Sequence, residues 1–159
     1  MRFSILLLMT IAGLSAAELT LKTSEAPPPK DIDPAIQKLL QPNAIQLMDG
    51  GQPAFQFWLV NELPGAKALE TIKPAALLGV VAVFKAQRDY RDDEIAAGVY
   101  TMRFALQPQD GNHLGSSDFL TFAVLTPAKL DTKPEGIVDY KSLVKASSNE
   151  TSTDHPARR

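Results

Sequence analysis

From Val99 to Leu106 the chain changes character at every step. Tyr100, Met102, Phe104 and Leu106 are large and apolar, and they alternate with Val99, Thr101, Arg103 and Ala105. Successive side chains on a strand point to opposite faces, so this period of two predicts a strand with one core face and one mostly solvent face. The same alternation recurs in Ala44–Met48, in Phe55, Phe57 and Leu59, and in Leu120, Phe122 and Val124 of Phe119–Leu125. Val80–Phe84 is β-branched and apolar on both sides, as a central strand must be. Asp49-Gly50-Gly51-Gln52 and Asn61-Glu62-Leu63-Pro64-Gly65 supply turn chemistry between the runs. Short strands separated by turns predict a mainly β fold: an antiparallel β-sandwich of Ig-like or transthyretin-like architecture, with one or two short peripheral helices.

The ends of the chain are of a different kind. Arg2 precedes Phe3–Leu14, an uncharged apolar run, and Ser15-Ala16-Ala17 follows with small residues. That three-part layout predicts a secretory signal over 1–17, cleaved before Glu18, and hence a secreted or periplasmic protein. Ala75–Phe84 is a second apolar run, about half the roughly 20 residues a membrane-spanning helix needs, so no span is expected after cleavage. Subtracting Arg2 from the 16 Lys+Arg leaves 15 against 18 Asp+Glu, a formal charge of −3. A balance so near neutral offers nothing to nucleic acid. With no cysteine, thiol catalysis, iron–sulfur clusters and cysteine-ligated metals are excluded, and an exported chain must rely on packing rather than disulfides.

Between the signal and the strands, 18–43 reads as an extended tether followed by a short helix. Glu25–Lys30 is proline-rich and predicts a polyproline spacer. Asp33 suits an N-cap and Pro34 the first helical turn, with Ile36, Leu39 and Leu40 on one face. The β domain is expected over 44–146. Near its end Ile137, Tyr140, Leu143 and Val144 have helical spacing. The last residues, 147–159, are polar and predict a disordered tail.

Ala96-Ala97-Gly98-Val99-Tyr100-Thr101-Met102-Arg103-Phe104 is similar to a segment that recurs in bacterial β-sandwich domains. There a glycine opens a strand and the tyrosine packs inward. The longer string from Gly98 to Phe122 resembles a group of small exported bacterial proteins of that architecture, with Trp58 and His155-Pro156 as further matches. Ala97 stands where the pattern carries proline. The resemblance implies a sandwich fold and export, and it transfers no catalytic residue.

The polar segment Gln107–Gly115 joins two of the expected strands and holds the first candidate site. Asp110, Asn112 and His113 form a cluster able to bind a ligand or partner, but Pro108, Asp110-Gly111 and Gly115 make an ordinary turn, and the turn is the preferred reading. Trp58 is out of phase with Phe57, so it faces the second side of its strand. It serves there either as a stacking platform or as an indole covered by the C-terminal helix, and the second reading is preferred. A metal alternative uses His113 and His155, the only histidines, with Asp110 or Asp118, to hold Cu or Zn. Asp89, Asp92, Asp93 and Glu94 are interleaved with Arg88 and Arg91 and read as a salt-bridged loop. No G-x-S-x-G elbow, phosphate-binding glycine loop or dinucleotide fingerprint is present. The expectation is therefore a non-enzymatic, cofactor-free protein of the bacterial cell envelope that binds a protein partner or an extracytoplasmic ligand. A Cu/Zn-binding protein is the first alternative and a small secreted hydrolase the second.

Overall fold

A computed structural model describes residues 18–88, 92–107 and 120–135. Eight strands, one helical turn and one 3-10 turn follow in the order β1 (Leu19–Ser24), α1 (Pro34–Gln37), β2 (Ala44–Asp49), β3 (Gln52–Leu59), the 3-10 turn (Leu69–Thr71), β4 (Leu77–Val83), β5 (Gln87–Arg88), β6 (Glu94–Ile95), β7 (Gly98–Leu106) and β8 (Thr121–Pro127). Six strands form one sheet in the order β1-β2-β3-β4-β7-β8, and β5 and β6 pair apart from it. Every pairing is antiparallel. The sheet is thus a meander in which each strand lies beside its predecessor, interrupted once by the β5–β6 hairpin.

Mainly β, antiparallel architecture is what the alternation predicts. Its arrangement is a finding: among the described residues six strands make one sheet joined only by a two-stranded hairpin, and these strands define neither an Ig-like nor a transthyretin-like sandwich. Within segment 18–43, one stretch joins this sheet. Leu19–Ser24, expected as part of an extended tether, pairs along its whole length with β2.

Local chemistry explains the turns. Gly50 and Gly51 link β2 to β3 with φ of 56° and 81°, the two successive positive values that a type I′ hairpin requires. Asp33 caps α1, its Oδ1 accepting from the Ala35 amide at 2.8 Å, and Pro34 fills the first helical position. The helix ends after Gln37, so Leu39 does not stay beside Ile36 and Leu40: it is exposed, while both of those are buried. At Gly79 the β4–β7 register slips. A side chain there would run into the Trp58 carbonyl on β3, so only glycine lets the central strands approach.

Register sorts the side chains into two faces. One row, Thr23–Ile45–Phe57–Val81–Tyr100–Pro127, crosses all six strands. With it lie Phe55, Val83, Met102 and Leu125, joined by Ile95 from β6. The opposite row runs Trp58–Val80–Thr101–Thr126. Ile32, Ile36 and Leu40 cover it from the N-terminal side, and Ala128 from beyond β8. β4 is consequently buried on both faces, with Val80, Val81 and Val83 at 0–3% exposure. Each such valine contributes at most about 1.5–3 kcal/mol.

One face departs from its expected role. The alternation predicts a mostly solvent face for Val99, Thr101, Arg103 and Ala105, yet Thr101, Arg103 and Ala105 are fully buried. After β8 the chain turns back across this face and delivers Asp131. Arg103 Nε donates to Asp131 Oδ2 at 2.8 Å, and Nη2 donates to Oδ1 at 2.9 Å. Nη2 also donates to the Lys133 carbonyl, and Nη1 to those of Ala75 and Pro134. All five guanidinium N–H groups therefore have acceptors. Thr101 Oγ1 adds a 2.6 Å bond to Asp131 Oδ2. Ala75 takes φ 65°, a left-handed conformation costing about 1–2 kcal/mol, and its carbonyl is one of the guanidinium's acceptors.

Candidate functional site

The segment Gly98-Val99-Tyr100 lines a surface recess. Tyr100 packs inward, as the sequence reading expects of it, and its hydroxyl donates to the Ala96 carbonyl at 2.9 Å. A tyrosine tied to backbone a few residues upstream closes the corner where a chain enters a sheet. A Cβ at Gly98 would meet the Tyr100 ring at 3.4 Å, an ordinary van der Waals contact. On the neighbouring strand Pro127 lies opposite Tyr100, and the Ala128 amide donates to the Val99 carbonyl at 2.9 Å. Together these hold open a recess of about 330 Å³, lined by Ala97–Tyr100, Pro127–Lys129 and Asp31. Polar and apolar surface contribute about equally to its walls. Its charged groups, Asp31 and Lys129, are solvent-exposed and opposite in sign.

Trp58 lies elsewhere and serves the core. It is 4% exposed, packed with Ile32, Ile36, Leu40 and Val80, and its Nε1 donates to the Ala26 carbonyl at 2.9 Å. Among the described residues the cover comes from the N-terminal side of the chain; the expected C-terminal helix lies outside them. Glu25–Lys30 is accordingly no free spacer: Ala26 packs against this cluster. In the acidic loop, Arg88 pairs with Asp92 at 3.1 Å and also bonds its carbonyl. Asp92 itself has φ 69°, in the left-handed region.

Asp110, Asn112, His113, Asp118 and His155 all lie outside the described residues, as do Asp89 and the expected helix and tail after Glu135. The Cu/Zn alternative therefore rests on residues of which the structure gives no description. Among the described residues, no three metal-ligating side chains come together, and no helix is long and apolar enough to cross a membrane.

Asp31 and Lys129 were absent from the sequence-derived candidates. They are far apart in the chain, and no motif connects them; only Gly98 and Tyr100 offered a signal, as the opening of a strand. The buried Arg103–Asp131 pair was equally hidden, since a charged residue at an alternating position reads as solvent-facing. Comparison of the chain with protein-family models, curated proteins and solved structures found no match.

Proposed function

We propose that this chain is an exported, non-enzymatic β protein of the bacterial cell envelope that binds an extracytoplasmic ligand at the Gly98–Tyr100 recess. The observation that carries the reading is the recess itself. Its volume of about 330 Å³ falls at the lower end of small-ligand sites, roughly 300–1,000 Å³. A lining of mixed polarity that includes one acidic and one basic residue suits a compact dipolar group, either a small zwitterion or the charged end of a larger molecule. Arg103 and Asp131 have their hydrogen-bonding capacity spent inside the fold. Export is supported by the charged, apolar and small-residue succession of the first 17 positions.

Two measurements test this. Expression of the full sequence in a bacterial host, followed by fractionation and intact mass, should give a chain starting at Glu18 outside the cytoplasm. Ligand-observed NMR against a panel of free amino acids, betaines and short peptides should reveal binders to the purified protein. Asp31→Asn and Lys129→Gln should each weaken them without changing the fold. Binding that survives both substitutions would place the ligand elsewhere.

A further inference from the structure

β1 is the terminal strand of the sheet, and among the described residues it pairs on one side only, with β2. Such an edge presents a row of backbone N–H and C=O groups able to template another strand. Proteins usually blunt it with proline, a bulge or a run of charge. β1 has no proline, its six residues pair with β2 in unbroken register, and Lys22 is its one charged residue. Glu18 extends it, held by a bond from the Gly50 amide to the Glu18 carbonyl.

The side chains beside this edge are exposed and apolar. Leu19 is 65% and Leu21 69% exposed, and Ile45 on the adjoining strand is 40% exposed. They share the sheet face whose middle is closed by Phe55 at 2% and Val81 at 1%. The apolar face thus runs off the end of the sheet with nothing described beyond it.

Charge order identifies what fits there. If a second copy adds its β1 antiparallel, the two-fold axis stands perpendicular to the sheet, so facing residues lie on the same face. Only registers matching odd with odd and even with even positions are then allowed. Centring the axis on Thr20 sets Leu19 opposite Leu21 and Glu18 opposite Lys22, each contact occurring twice by symmetry. Centring it on Leu21 sets Glu18 opposite Ser24 and Lys22 opposite Thr20, leaving both charges uncompensated. The stretch Glu18-Leu19-Thr20-Leu21-Lys22 is self-complementary about its middle residue.

We propose that β1 is a homodimer interface, in which two copies pair β1 to β1 about Thr20 and join their sheets into one. Opposite charges facing each other across an antiparallel pair stabilise it, and like charges oppose it. This surface is independent of the recess and stands whether or not the recess binds a ligand.

The test uses the protein expressed from the full sequence, with the start of the exported chain verified by mass. Sedimentation equilibrium across the micromolar range should show a monomer–dimer equilibrium. Lys22→Glu sets like charges opposite each other twice per dimer and should raise Kd by roughly tenfold or more. Adding Glu18→Lys to it should restore the dimer. The absence of native cysteine allows a second readout that maps register. Across an antiparallel pair, facing Cα atoms are about 4.5–5.5 Å apart, within the roughly 4.4–6.8 Å that a disulfide spans. Thr20→Cys should therefore oxidise to a covalent dimer, whereas Thr23→Cys and Leu21→Cys should not. Far-UV circular dichroism verifies the fold of every variant. A wild-type protein that stays monomeric, a dimer indifferent to charge reversal, or cross-linking at Leu21 in place of Thr20 would each overturn the proposal.

Discussion

Replacing Asp131 by alanine is the sharpest test of how this sheet is held together. In the native protein the carboxylate is 2% and Arg103 0% exposed, and two of the five guanidinium bonds end on Asp131. Truncation leaves a buried cation facing only three backbone carbonyls, from Ala75, Lys133 and Pro134. Breaking a buried pair from one side costs about 3–5 kcal/mol, because the remaining charge is uncompensated. Arg103→Met should cost more, since it strands the carboxylate and removes the donor from all three carbonyls, each worth about 1–3 kcal/mol when left unsatisfied. The double variant Arg103→Met/Asp131→Leu removes both charges, so it should be more stable than Arg103→Met. It should still fall short of wild type, because the carbonyls stay orphaned. Urea unfolding followed by Trp58 emission measures all three. At about 2–4 °C per kcal/mol for a chain near this size, Asp131→Ala should lower Tm by roughly 10 °C. An Asp131→Ala loss below about 1 kcal/mol, the value of an exposed pair, would refute the reasoning.

Other expectations follow from single contacts. Gly79→Ala drives a Cβ into the Trp58 carbonyl across the central strands. It should destabilise by more than about 3 kcal/mol or abolish soluble expression, as an equilibrium unfolding curve or its absence will show. Tyr100→Phe removes the hydroxyl bond to Ala96 and should cost about 0.5–1.5 kcal/mol in urea unfolding, with the circular dichroism spectrum unchanged. Trp58 is the single tryptophan and is 4% exposed, so native emission should be blue-shifted and resist acrylamide quenching until the protein unfolds. Asp33→Ala deletes the cap on α1 and should cost about 1 kcal/mol, read as a lower urea midpoint.

How far the sequence could be read depended on the range of the interactions. β7, β3 and β4 were legible because one rule governs them locally: alternate side chains go to opposite faces, and a strand apolar on both faces lies in the middle. The β2–β3 hairpin was legible because consecutive glycines satisfy a type I′ turn wherever they occur. β1 was missed, although Leu19 and Leu21 alternate with Thr20 and Lys22. Its next neighbours are the proline-rich Glu25–Lys30, and a strand with exposed leucines looks like a tether until its partner is known. The recess was missed for a related reason, since Asp31 and Lys129 come to line one recess only through the fold.

The amino-acid order alone determined the class of structure, the turns, and the absence of cysteine chemistry, because period, φ preference and composition act within a few residues. Tertiary structure decided which faces are buried. Arg103 occupies a strand position that local patterning assigns to water. It is interior only because the chain beyond β8 folds back and brings a carboxylate and the carbonyls of Lys133 and Pro134 to meet it. A buried charge is stable only with its partners in place, and partners supplied from distant segments leave no local mark in the sequence.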